Sequence, residues 1–163
     1  MSEKKILFGC TGNSCRSVMA QGLLQKCLKQ LETRLKDPVE VASAGVFAID
    51  GMSPSKETLR LLQEEGVDMT AHMARNLTPE MIRESTWIVV MEPFQRDEIL
   101  LRAPDARDKV CLLRRFGLPE GASVAEAAIP DPIGRPRDVY ESCFALIKDG
   151  VERVAQALIS EAE

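Results

Sequence analysis

Aromatic residues are scarce in this 163-residue chain: five Phe, one Trp and one Tyr, 4% in all. A core of ordinary size must then be assembled from Ile, Leu, Val, Met and Ala, which the 45% apolar content allows. No apolar run nears the ~20 residues that a membrane-spanning helix needs. Ile6-Leu7-Phe8, after Lys4 and Lys5, is too short for a secretory signal. A basic run is also missing, and 21 Lys and Arg against 25 Asp and Glu leave a net charge of −4. That balance argues against nucleic acid and membrane as partners. The five cysteines form no Cys-x-x-Cys pair, and there is one histidine. An odd cysteine count without such a pair argues against a disulfide framework and a structural zinc site; no metal and no cofactor are expected. A cytoplasmic protein with reduced thiols, folded as one domain over residues 1–163, is the expectation.

Strand-like apolar runs alternate with helical patterns, which predicts an α/β fold. A first strand over Lys5–Gly9 leads through a Gly12-Asn13 turn into a helix from Ser17 to Leu35, ended by Asp37-Pro38. Val39–Ala42 reads as the second strand and Gly45 closes it. Ser53-Pro54 has the form of an N-cap and first turn, opening a helix that stops at Gly66. Thr78-Pro79-Glu80 opens a short helix. Trp87–Met91, apolar throughout, reads as a buried central strand. A helix over Pro93–Leu101, a fourth strand over Lys109–Leu113, a long loop over Arg114–Pro136 and a final helix over Arg137–Ala162 complete the pattern. The expected architecture is three-layered: a four-stranded parallel sheet, helices on both faces, and a ligand site at the carboxyl ends of the strands.

One segment carries chemistry. Cys10-Thr11-Gly12-Asn13-Ser14-Cys15-Arg16-Ser17 lies where the first strand ends and the first helix begins. Backbone N–H groups of a loop wound at a helix N-terminus converge on an anion, and the helix dipole adds positive potential. Thr11, Gly12, Asn13, Ser14, Cys15, Arg16 and Ser17 are therefore candidate phosphate-binding residues, for phosphate or another oxyanion. Arg16 can grip two phosphate oxygens with its planar fork. The same surroundings favour a thiolate at Cys10, toward which Ser17 can donate its hydroxyl. Gly12 and Asn13 are residue types that tolerate positive φ, as a tight anion-binding loop requires. The missing Gly-Lys-Ser/Thr ending argues against a nucleotide P-loop. Phosphoryl transfer also needs a proton donor, and Asp131 supplies a carboxylate on the long loop, held extended by Pro132.

With Ser43-Ala44-Gly45 after the second strand, His72 followed by Arg75, and the late Asp131-Pro132, the chain resembles the low-molecular-weight protein phosphatases, whose fold arsenate reductases share. The resemblance covers nearly the whole chain. It implies that Cys10 is the nucleophile of a phosphocysteine intermediate, Arg16 the phosphate ligand and Asp131 the general acid. Asn13, Ser17, Ser43 and His72 would support the loop, and phosphorylated proteins would be the substrates. Cys15 is either a partner for a reversible disulfide with Cys10 or an inert small side chain.

Substrate choice reads less directly. Tyrosine phosphatases of the family carry aromatic residues after the Asp-Pro pair, where this chain has Ile133-Gly134. They also place a bulky apolar residue where Ser14 stands. A small hydroxyl there resembles the threonine of the bacterial protein arginine phosphatases, as does Ser43-Ala44-Gly45-Val46-Phe47-Ala48, so phosphoarginine is favoured and phosphotyrosine is the alternative. Thiol-coupled arsenate reduction needs two further cysteines after the third strand, and Met91–Asp97 holds none.

Overall fold

The computed structural model describes residues 3–119 and 128–162; residues 120–127 of the predicted loop lie outside the described residues. Four strands, β1 (Lys4–Cys10), β2 (Val39–Gly45), β3 (Trp87–Val90) and β4 (Val110–Leu112), form one parallel sheet in the order β2-β1-β3-β4. Among the described residues five α-helices accompany them: α1 (Arg16–Gln30), α2 (Lys56–Glu64), α3 (Pro79–Glu84), α4 (Pro93–Arg102) and α5 (Arg137–Ala162).

The alternation along β1 divides the core in two. Ile6, Phe8 and Cys10 point into an apolar layer built from α1, α5 and α2. Leu7 points to the other face, into a smaller layer with Ile88, Val90, Ile82 of α3 and Ile99 of α4. That period of two is what a pleated strand imposes, and burial on both faces goes with the absence of charged side chains from Ile6 to Cys10, after Lys4 and Lys5 at the strand's outer end. The aromatic shortage shows in the filling, since Phe8 is the only aromatic among the largest fully buried side chains.

The strand order places the site. From β1 the chain passes through α1 to β2 on one side, then crosses back to β3 on the other side of β1. The carboxyl end of β1 is therefore the point at which the winding direction reverses, where such sheets open a crevice.

Three expectations need correction. The first helix stops at Gln30 and not at Leu35; Glu32–Arg34 follow as a 3₁₀ turn. The three-residue spacing of Leu28 and Leu31 fits either helix type, so it does not mark where α1 ends. The second helix is capped by Ser55, whose Oγ accepts from Thr58 N at 3.3 Å, and not by Ser53. Ser55 N is held at 3.1 Å by Ser14 O, so the chain must stay extended up to that residue. The fourth strand is three residues long, because Leu113–Arg115 coil into a 3₁₀ turn. Thr78 caps α3 as expected, accepting from Met81 N at 3.2 Å with Pro79 in the first turn.

Candidate active site

The loop from Cys10 to Arg16 is wound between β1 and α1, with Asn13, Ser14 and Arg16 buried although polar and Thr11 and Gly12 half-buried. Asn13 is the only non-glycine residue with positive φ among those described, at 54°. That conformation costs an ordinary residue about 1–2 kcal/mol, less for Asn, so it needs support. The Asn13 side chain provides it. Its Nδ2 donates to Ser17 Oγ at 2.8 Å and to Ser43 Oγ at 2.9 Å, and its Oδ1 accepts from Arg75 N at 3.1 Å. Both donor hydrogens are thereby used. Ser43 Oγ in turn donates to Gln21 Oε1 at 2.5 Å.

The network ends on Cys10. Because Ser17 Oγ already accepts from Asn13, its hydroxyl hydrogen is free to point at Cys10 Sγ, 2.9 Å away. Asn13 N donates to the same sulfur at 3.3 Å. A sulfur that receives two donors is suited to carry negative charge.

Arg16, fully buried at the start of α1, is held by three oxygens. Nη1 donates to Ile129 O at 2.7 Å and pairs with Glu92 Oε2 at 2.9 Å; Nη2 lies 3.8 Å from Asp131 Oδ2. The exposed Asp131 carboxylate accepts from Ile133 N at 3.0 Å, an Asx turn that folds the loop back toward Arg16. Asp131, far from Cys10 and Arg16 in sequence, is thus brought beside Arg16 at the carboxyl end of β1.

The second strand presses on the loop from the side. Val46 N donates to Cys10 O at 2.9 Å and Phe47 N to Thr11 O at 3.0 Å. A Cβ on Gly45 would collide with Thr11 O and stand 3.1 Å from Asn13 N, so the approach demands glycine at the end of Ser43-Ala44-Gly45.

His72 lies against the backbone of Asn13, not its side chain. Burial pulls its pKa below the ordinary 6.5, with the Arg75 charge acting the same way and a hydrogen bond to the Asn13 backbone opposing. Its Nε2 is buried without a partner among the described residues. Arg75 carries more of the support than the sequence suggested, since its Nε also donates to Ser43 O at 3.1 Å. Ser14 sits inside the loop, its hydroxyl 3.9 Å from Cys15 Sγ. Cys15 donates to Ser55 Oγ at 3.3 Å and lies 3.7 Å from Tyr140 Oη, so its thiol faces α2 and α5. Burial pushes the Tyr140 hydroxyl's pKa up. Cys143, also raised by burial, donates to Pro130 O at 3.3 Å and anchors the strand of loop before Asp131.

Two residues at the start of α4 escaped the sequence reading. Glu92 neutralises Arg16, and Gln95, wholly buried, accepts from Met91 N and Glu92 N at 2.9 Å and donates to Thr11 Oγ1 at 3.1 Å. The pair bridges both ends of the loop. Their three-residue spacing is that of a capping box, which marks a helix start but not a tertiary partner.

The pattern of the low molecular weight phosphotyrosine protein phosphatases matches residues 5–163. The chain belongs to this family. As a family member it is a protein phosphatase, a hydrolase of the cysteine-dependent kind. A protein-arginine-phosphatase of Geobacillus stearothermophilus is 38% identical over 157 residues, 96% of this phosphatase and 97% of that protein. A probable low molecular weight protein-tyrosine-phosphatase, EpsP, of Ralstonia solanacearum is 32% identical over 149 residues, covering 91% and 92%. Among solved structures, a mutant of the YwlE arginine phosphatase with a phosphorylated active site serine superposes with a TM-score of 0.83 at 27% identity, covering 94% of this phosphatase and 95% of that chain. Among the described residues no helix is long and apolar enough to cross a membrane.

Proposed function

We propose that this phosphatase hydrolyses phosphorylated protein side chains through a phosphocysteine at Cys10, with phosphoarginine as the preferred substrate. The convergence of two donors on Cys10 Sγ within a loop closed by Arg16 carries the reading. The phosphoryl group sits in the loop between backbone N–H groups and the Arg16 fork, which turns from its present acceptors toward the phosphate oxygens. Cys10 Sγ attacks phosphorus as the bond to the leaving oxygen or nitrogen breaks, and Asp131 protonates that leaving atom. Asp131, now a carboxylate, takes a proton from the water that attacks phosphocysteine. The S–P bond breaks, phosphate departs and the thiolate returns, held again by Ser17 and Asn13. The phosphorylated serine in place of a nucleophile in the YwlE mutant supports a covalent route in this family.

Ser14 and the lack of aromatic residues after Asp131-Pro132 support phosphoarginine. A guanidinium needs acceptors where a phenol ring needs apolar walls, and Ser14 Oγ and the carbonyl oxygen of the protonated Asp131 carboxyl group are acceptors beside the loop. Similarity to the arginine phosphatase of Geobacillus stearothermophilus supports the same choice, and the tyrosine phosphatases among the relatives supply the alternative. The test is hydrolysis of phosphoarginine and phosphotyrosine peptides side by side, with arsenate reduction as a third arm. Faster phosphoarginine turnover is expected. A preference for phosphotyrosine replaces the arginine reading with the tyrosine one, and arsenate reduction alone overturns both.

A further inference from the structure

A cavity of about 450 Å³ opens between α3, the end of α4 and the 3₁₀ turn Pro104–Lys109. That volume is within the range of small-molecule sites, and none of the lining residues belongs to the phosphate loop. Its floor is apolar, with Leu77, Ile82 and Ala106 all buried. Its rim carries three cations, Arg83, Arg102 and Lys109, against the one carboxylate of Asp105. Positive charge is thus gathered here in a chain whose net charge is −4. Little of it is spent internally. Lys109 Nζ donates to Arg83 O at 3.1 Å and to Ser85 O at 3.0 Å, which leaves one of its three hydrogens. The Arg83 side chain is in no ion pair among the described residues. Arg102 commits its Nη2, to Val46 O at 2.7 Å and Glu98 Oε1 at 3.4 Å.

We propose that this cavity binds a small amphipathic anion, an apolar ring or chain bearing a carboxylate head, and that its occupancy slows the phosphatase. The body of such a ligand buries against the floor, and the head meets Arg83 and Lys109 in charge-assisted contact. A cationic ligand would face three like charges, and a neutral one would leave them unanswered. Two bonds run from the cavity wall to the end of β2: Leu77 N donates to Gly45 O at 2.8 Å, and Arg102 donates to Val46 O. Gly45 and Val46 are the residues that bear on the phosphate loop, by close approach to Thr11 O and by the bond of Val46 N to Cys10 O. A carboxylate that draws the Arg102 guanidinium outward takes the donor from Val46 O and loosens that support. The proposal rests on the phosphatase reading, since turnover is what the ligand changes.

The test titrates 2-naphthoate into the ¹⁵N-labelled wild type, with orthophosphate present to fill the phosphate loop, and repeats the titration with neutral 2-naphthylmethanol. Saturable shifts of the Ile82, Ala103 and Ala106 amides are expected, with a Kd of about 1 mM for an acid of this size and about tenfold weaker binding of the alcohol. In assays without added phosphate, saturating 2-naphthoate should lower kcat for p-nitrophenyl phosphate about fivefold and leave KM unchanged. Arg83→Glu should melt like the wild type, keep its basal turnover and lose both binding and inhibition. Ala103→Leu, which fills the cavity and leaves its charges in place, should lose both as well. Undiminished binding by either variant overturns the proposal. So does a rise in KM alone, or shifts confined to residues 11–16 that orthophosphate abolishes, since the acid would then sit in the phosphate loop. Equal binding of acid and alcohol overturns the assignment of an anion, and binding with unchanged kcat overturns the effect on turnover. Absence of any turnover of p-nitrophenyl phosphate by the wild type without the acid would sink the phosphatase reading itself, whatever the titration shows.

Discussion

Replacing Gly45 by alanine tests whether the end of β2 holds the phosphate loop in shape. The added methyl would meet Thr11 O inside contact distance, Ala48 Cβ at 2.9 Å and Asn13 N at 3.1 Å. Two of these three are backbone atoms of the loop, so no side chain can swing away to make room. Relief requires the loop or β2 to shift, which breaks the bonds of Val46 N to Cys10 O and Phe47 N to Thr11 O. Overpacking of this kind costs about 1–3 kcal/mol. In a domain of this size each kcal/mol lowers Tm by about 2–4 °C. A displacement of about 1 Å at the nucleophile costs on the order of a hundredfold in rate. Gly45→Ala should thus lose far more activity than stability. Gly66→Ala provides the control: its φ of +77° strains alanine by about 1 kcal/mol, but the added methyl meets open space far from the loop. That variant should melt lower and turn over like the wild type. Gly45→Ala with wild-type kcat/KM and an unchanged Tm would refute the packing argument.

Asp131→Asn should slow phosphopeptides about 10²–10⁴-fold but p-nitrophenyl phosphate far less, because an activated phenol leaves without help; equal losses would point to another acid. Ser14→Ile should lower phosphoarginine turnover by about one to two decades, the worth of one hydrogen bond to a charged group, and preserve phosphotyrosine turnover; an unchanged ratio would remove Ser14 from specificity. His72 makes stability depend on pH, since burial lowers its pKa from 6.5 and the unfolded chain takes up a proton that the folded protein refuses. Its contribution is complete above about pH 6.5 and is lost as the pH falls from there toward the folded value, so Tm should drop over that window less steeply in His72→Gln. Identical slopes in thermal melts of the two proteins would contradict the assignment.

The loop from Cys10 to Ser17 was legible as a place between strand and helix because its residues are eight in a row, and the strand before it and helix after it announce themselves by periodicity. Of Gly12 and Asn13, the two residues offered for positive φ, only Asn13 adopts it among the described residues. Glu92, Gln95 and Ser55 were not legible, because their partners are Arg16, Thr11, Ser14 and Cys15, and only the winding of β3 and α2 against β1 brings them together. Ser55 shows the effect on boundaries as well: Ser53-Pro54 has the better local signature, yet the bond to Ser14 O moves the cap two residues on. At the end of the first helix the failure was different, since Asp37-Pro38 was the first breaker in the sequence while the α-helix already ends at Gln30 and gives way to a 3₁₀ turn.

Everything proposed for this phosphatase depends on Cys10 forming the bond to phosphorus. The direct measurement is Cys10→Ser assayed for both turnover and oxyanion binding, alongside rapid acid quench of the wild type during turnover and mass spectrometry of its peptides. The account predicts no detectable turnover by the variant, phosphate binding within a few-fold of the wild type because Arg16 and the loop amides remain, and a phosphoryl adduct on the wild-type peptide that contains Cys10. Sustained turnover by Cys10→Ser, or an adduct on another residue, would contradict it.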